Sequence, residues 1–301
     1  MRLQTYPDRD MLAIDLANRM AGELAAALMH QDRATLIVPG GSTPGPVFDA
    51  LCAADIDWAR VDVLLSDERW VPESDPASNA AMLRRRLLVN RAAEARFLPF
   101  YQADVAIDHA AAVLATQIAP LLPASVVLLG MGADMHVASL FPHGDKLRLG
   151  LDAQAPVVLE MRVPGAAQPR VTLSAPVLSG GIVVHLLITG AEKRAALERA
   201  QHLPPEEAPV VAILDGAVVH WAQERRRGSA CSTWARVRGA IVLRPCLPMK
   251  PALRGFRCRP MGCCLIIPRP CWMTPGARPC WAWCKPRGWN SGAMHCLRAC
   301  G

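Results

Sequence analysis

Residues 1–224 hold a single cysteine, Cys52, while the other ten cysteines of the chain all follow residue 224. That excludes a disulfide-stapled scaffold for the first part and fits a reducing compartment. No cluster of His, Cys or carboxylates in residues 1–224 has metal-ligand spacing, so no metal is expected. No apolar run reaches the roughly 18 residues a membrane helix needs. Residues 6–10 are polar where the apolar core of a secretory leader would begin. A cytoplasmic protein with no membrane partner is the expectation. Residues 1–224 also show no internal repeat and no heptad run.

Acid is what the last part lacks. Residues 225–301 carry 15 Lys and Arg and no Asp or Glu, whereas residues 1–224 carry 18 Lys and Arg against 26 Asp and Glu, net −8. The basic pI of about 9.0 therefore belongs to the tail, and it implies no nucleic-acid partner for the main domain. The tail holds nine Pro, eight Gly, ten Cys and five Trp. It shows no sustained helix or strand period, and no Cys-x2-Cys pair repeats there, which makes zinc a poor explanation. Its composition resembles translation of a GC-rich gene in a shifted frame. The expected layout is an α/β domain over 1–224 and a disordered, dispensable tail over 225–301.

What the first part does have is apolar strands alternating with amphipathic helices. That pattern predicts a mostly parallel sheet covered by helices on both faces. Asp8 can cap a helix running to about residue 30. Strands are expected at 34–38, 58–66, 97–100, 126–129, 157–161, 170–173, 182–188, 209–214 and 218–221. Helices are expected from Pro44 or Pro46 to 53, over 78–90, 104–122 and 190–201, and one could begin at 138–141. His185 interrupts an apolar strand and reads as a satisfied core histidine.

Ligands of such sheets sit outside the carboxyl ends of the strands, and four of the predicted strands end in polar motifs. The first runs into Gly40-Gly41-Ser42-Thr43-Pro44. Two glycines, two hydroxyls and the free N–H groups of a helix start can hold a phosphate or another anion. An ordinary strand-to-helix turn has the same residues, and no Lys-Ser/Thr follows to make a Walker A loop. The second strand ends in Asp67-Glu68-Arg69. Arg69 suits bidentate contact with phosphate or carboxylate, with Asp67 and Glu68 orienting it or a sugar hydroxyl. A solvated loop is the alternative. The third ends in Gly130-x-Gly132-x-Asp134-x-His136, and a His beside a carboxylate is the usual kit for a general base. The fourth ends in Thr189-Gly190-x-x-Lys193, a helix start with a point charge.

Together with Ser78-Asn79, the Ala-Ser-Leu-Phe-Pro string after His136 and the closing Val219-His220-Trp221, these motifs resemble the 6-phosphogluconolactonases over roughly residues 10–222. The resemblance implies the fold shared with glucosamine-6-phosphate deaminases and ribose-5-phosphate isomerases. It implies hydrolysis of 6-phosphoglucono-δ-lactone to 6-phosphogluconate, the second step of the oxidative pentose phosphate pathway, with no cofactor and no metal. The small-molecule partner is then a phosphosugar lactone, and the assembly a monomer or weak homo-oligomer. His136 would be the general base, with Asp134 orienting it. Gly40, Gly41, Ser42, Thr43, Asp67, Arg69, Asn79 and Lys193 would hold the phosphate and sugar.

Two positions depart from the family. Met135 stands where Gly is usual, and Val137 where Thr is usual. A positive φ at 135 would strain Met by roughly 1–2 kcal/mol, and a ligand-contacting Thr hydroxyl would be lost at 137. The rival readings are a sugar-phosphate deaminase or isomerase, and a non-catalytic sugar-phosphate-binding protein. The first branch carries an acid where this chain has Leu140-Phe141-Pro142, and Tyr where it has Arg69.

Overall fold

The computed structural model describes residues 1–163, 165–224, 235–237 and 240–242. The chain divides into two units, Met1–Arg226 and Arg227–Gly301. In the first unit β1 (Arg2–Tyr6) leads to α1 (Arg9–His30). The Asp8 carboxylate accepts from the Met11 N–H at 2.8 Å and supplies the cap read from the sequence. Next come β2 (Ala34–Val38), α2 (Gly45–Leu51), β3 (Val61–Leu65), β4 (Asp67–Arg69) and α3 (Asn79–Arg86). The middle holds β5 (Arg96–Phe97), α4 (Ile107–Ile118), β6 (Val126–Gly130) and α5 (Leu147–Leu151). The unit finishes with β7 (Val158–Met161), β8 (Arg170–Leu173), α6 (Ala175–Ser179), β9 (Val183–Thr189), α7 (Gly190–Ala200) and β10 (Val218–Ala222).

Seven strands form one sheet in the order β1-β10-β9-β6-β2-β3-β5, and every pair in it is parallel. All five residues of β2 and of β3 are buried. Since successive side chains point to opposite faces, both faces of the sheet are covered. The fold class is the one the alternating pattern predicts. A second, antiparallel sheet runs β4-β8-β7. Ser66 is the pivot between the two sheets. Its N–H donates to Val38 O in the main sheet, and its carbonyl accepts from Leu173 N–H in the small one.

Several elements differ from expectation. Strand β1 was not foreseen, because an edge strand of Arg, Leu, Gln, Thr and Tyr carries little apolar signal. Residues 209–213 form a 3₁₀ helix rather than a strand, since Pro209 suits a helix's first turn. Residues 138–141 begin no helix: Ala138 has φ +49° and Val137 bridges to Leu140 in a tight turn. Residues 58–60 are 3₁₀ rather than strand. The tail contains a short antiparallel ribbon, β11 (Ala235–Val237) with β12 (Ala240–Val242), that the composition did not predict. Its expected disorder otherwise falls outside the described residues.

A polar chain runs through the apolar core and ties α1 to three strands. Glu23 Oε2 lies 2.7 Å from His185 Nε2, and His185 Nδ1 lies 3.0 Å from His220 Nε2. His220 Nδ1 lies 2.8 Å from the Tyr6 hydroxyl, which donates to Asp15 at 2.7 Å. Arg19 Nε donates to the same Asp15 oxygen. Burial, aided by neighbouring His185, holds the His220 imidazole down at about 3.

The folded chain therefore keeps His220 neutral at pH values where the unfolded chain protonates it. Stability is full above pH 6.5 and falls as pH drops toward 3. The unfolding free energy from urea titrations should fall by about 2 kcal/mol between pH 6.5 and 4.5 on account of His220. His220→Gln should flatten that slope; an unchanged slope would mean His220 is not the group responsible.

Candidate active site

Chain order reverses direction across the sheet between β2 and β6. From β2 the chain moves outward through β3 to β5. It then returns to β6 and continues the other way through β9 to β10. Such a switch point leaves a crevice at the carboxyl ends of the two strands. A cavity of about 200 Å³ lies there, between Pro39 and Gly40 after β2 and Gly130 at the end of β6. Eight of the ten residues expected at a site line it: Gly40, Gly41, Thr43, Asp67, Arg69, Asn79, His136 and Lys193. Ser42, exposed on the glycine turn, and Asp134 do not.

The glycine turn has two reasons for its composition. Gly41 has φ +83°, which side-chain-bearing residues rarely adopt. A Cβ on Gly40 would lie 1.9 Å from Asn79 Oδ1, so the Asn79 carboxamide fills the space a side chain would need. Asn79 Nδ2 donates to Asp67 O at 2.9 Å. Asn79 is thus already engaged in fastening the start of α3 to β4 as it lines the cavity.

Asp67 and Glu68 are not a solvated loop, since both are buried. They also do not pair with Arg69. Glu68 points the other way from its strand neighbours and accepts from the N–H groups of Arg69, Asn79 and Ala80 and from Ser78 Oγ. It is an anchor for the N-terminus of α3, its carboxyl pushed up by burial against those four donors. Asp67 accepts from Ser66 Oγ at 2.9 Å and from Ser139 Oγ at 2.6 Å. The second bond ties the His136 loop to β4. Arg69 donates instead to Ala77 O at 2.6 Å.

The base candidate is built by a closed loop. Gly132 N–H donates to His136 O, and Met135 N–H donates back to Gly132 O. A Cβ on Gly132 would lie 2.2 Å from His136 Nδ1, so glycine is what leaves room for the ring. His136 Nδ1 is 2.5 Å from Asp134 Oδ1. That bond holds the Asp134 carboxyl below its usual range. An ionised Asp134 fixes the proton on Nδ1 and leaves Nε2 as the free base. The imidazole also stacks on Phe141, centroids 3.9 Å apart and planes 24° from parallel.

Sequence reading missed Arg170, which lines the cavity at the start of β8. It was read only as the first residue of a strand. The antiparallel pairing that sets it directly opposite Arg69 joins positions a hundred residues apart, and no local pattern announces it. Like charges placed opposite each other across strands are unfavourable. Among the described residues, the Nε–H groups of both arginines are buried without a hydrogen-bond partner. Burial pushes the Arg170 guanidinium down, and the Lys193 ammonium down as well, Arg9 adding to the second. Three cations around one cavity, two of them with unmet donors, call for an anion.

Met135 has φ +67°, the strained geometry in question at that position. Val137 is fully buried and bridges to Met131 and Leu140. A hydroxyl there would enter the core rather than the cavity. Among the described residues no group of three or more His, Cys, Asp or Glu could hold a metal ion, and no helix is long and apolar enough to cross a membrane.

A basic cleft with a His–Asp pair, at the switch point of a parallel sheet, defines an α/β protein built to act on a small anionic ligand. The chain belongs to the glucosamine-6-phosphate isomerases/6-phosphogluconolactonase family, whose profile matches residues 7–221. It is 42% identical over 224 residues to the 6-phosphogluconolactonase of Mesorhizobium japonicum, covering 72% of this chain and 93% of that one. It is 40% identical over 223 residues to that of Pseudomonas aeruginosa, covering 73% and 94%. The crystal structure of a 6-phosphogluconolactonase from Shewanella baltica superposes with a TM-score of 0.71 at 31% identity, covering 74% of this chain and 97% of that one. A monomeric glucosamine-6-phosphate deaminase, 16% identical with a TM-score of 0.60, shares the fold.

Replacing Met135 by Gly tests the strain. Relief of roughly 1–2 kcal/mol is offset by roughly 0.5–1 kcal/mol of extra chain entropy and by lost packing against the core. Met135→Gly should therefore change unfolding free energy by less than about 1 kcal/mol. A change of several kcal/mol either way would show that another contact of Met135 dominates.

Proposed function

We propose that this protein hydrolyses 6-phosphoglucono-δ-lactone to 6-phosphogluconate, a cytoplasmic step in carbohydrate metabolism that takes the lactone made by oxidation of glucose 6-phosphate. The observation that carries the reading is His136, bonded to Asp134 behind it, lining one cavity with Arg69, Arg170 and Lys193. Relatives at 42% and 40% identity bear the lactonase name. The phosphate docks on Arg170, Lys193 and Arg69 with the N–H groups of the Gly41 turn, Ser42 and Thr43. Held at its far end, the lactone presents its carbonyl to His136.

His136 Nε2 takes a proton from water as the water oxygen bonds to the carbonyl carbon. The carbonyl electron pair moves onto its oxygen, giving a tetrahedral intermediate. Asp134 stabilises the imidazolium. When the intermediate collapses, the bond from that carbon to the ring oxygen breaks. The ring oxygen takes the proton from His136 and becomes a hydroxyl. The new carboxylic acid gives its proton to solvent, and the base is restored. No step needs a cofactor. Residues 225–301 have no part in this scheme, and the family match ends at residue 221.

The test is hydrolysis of freshly made lactone by the full chain, with the spontaneous rate subtracted. His136→Ala should lower kcat by about 100-fold or more, the usual weight of a general base. Arg170→Ala should act mainly on KM. A chain ending at residue 224 should keep the full rate. A folded protein with no turnover would favour a sugar-phosphate-binding role. Ammonia release from glucosamine 6-phosphate would favour the deaminase branch, in which residues 140–142 would have to do without the acid of that family.

A further inference from the structure

Phe141 touches both halves of the site without lining the cavity. The imidazole of His136 stacks on its ring at 3.9 Å, and the Arg170 guanidinium carbon sits over the same ring at 4.9 Å. Both of those groups line the cavity, whereas Phe141 does not. The main chain that carries the ring is held: Phe141 O accepts from Gly144 N–H at 2.9 Å, and the turn before it is closed by Leu140 N–H donating to Val137 O. The two groups it touches come from different sheets, His136 after β6 and Arg170 on β8.

We propose that Phe141 is a positioning residue that sets the base and the phosphate-holding arginine relative to each other. Neither group has enough other support to fix its tilt. His136 has one side-chain hydrogen bond, to Asp134. Arg170 Nε is buried without a hydrogen-bond partner among the described residues. A rigid aromatic plate supplies what they lack: one stacked contact and one cation–π contact. Because a single ring carries both, a shift of the ring moves base and anion holder together. The substrates so served have an anionic group at one set distance from the reacting carbonyl. A misplacement of about an ångström at such a site can cost 100-fold in rate.

This rests on the lactonase reading for its kinetic arm and on phosphate binding alone for the other. Phe141→Met keeps apolar bulk and removes the ring; Phe141→Tyr keeps the ring. In the full chain, kcat for the lactone and the Ki or Kd of inorganic phosphate are measured for both. Phe141→Met should lower kcat at least tenfold and weaken phosphate at least threefold, with melting temperature little changed. Phe141→Tyr should return both to within threefold of the parent. Met matching the parent in both readouts would overturn the proposal. So would a loss confined to one readout, or a Tyr variant as impaired as Met. If the parent chain turns over no lactone, the reading of function fails, and the phosphate arm still decides whether Phe141 positions Arg170.

Discussion

All seven strands of the main sheet run in one direction, so all seven deliver their carboxyl ends to one edge. That single constraint assembles the site. The motifs at residues 40–44, 67–69, 130–136 and 189–193 meet because each follows a strand of that sheet, and the small antiparallel sheet adds Arg170. The reversal between β2 and β6 then opens a gap at that edge, and the polar residues face into it. The chemistry depends on the sheet being buried on both faces. Only then are the strands rigid enough to hold a base and three cations around one small cavity.

The electrostatic cost of that arrangement is met by neighbours rather than by solvent. Arg69 and Arg170 oppose each other across β4 and β8. Asp67, on the same strand as Arg69, is fastened by two serine hydroxyls and lies close enough to favour the Arg170 charge. Glu68 faces the other way and spends its charge on the start of α3. One strand of three residues thus supplies a cavity wall, a cation and a helix anchor, because alternate residues point to opposite sides.

How much of this was legible in the sequence follows from how local each signal is. Strand β2 and the α1 cap could be read because an apolar run closed by Pro-Gly-Gly, and an Asp before an amphipathic run, are complete within a few residues. The site residues on strand ends could be named for the same reason, and eight of ten line the cavity. What escaped was non-local. Arg170 becomes a site residue only through its antiparallel pairing with β4. The role of Asn79 depends on the space beside Gly40, and Glu68 changes role through the pleat of its strand. Strand β1 escaped because an edge strand buries few of its side chains. Pro209 misled because a short apolar run fits a strand and a turn of helix equally well.

Strand β1 also sets an order of events. Among the described residues its only sheet partner is β10, in register from Arg2 opposite Val218 to Tyr6 opposite Ala222. Strand β1 therefore waits for a partner more than two hundred residues further along the chain. Until His220 has been made, Tyr6 has no imidazole to meet and the polar chain between Glu23 and Asp15 lacks its middle link.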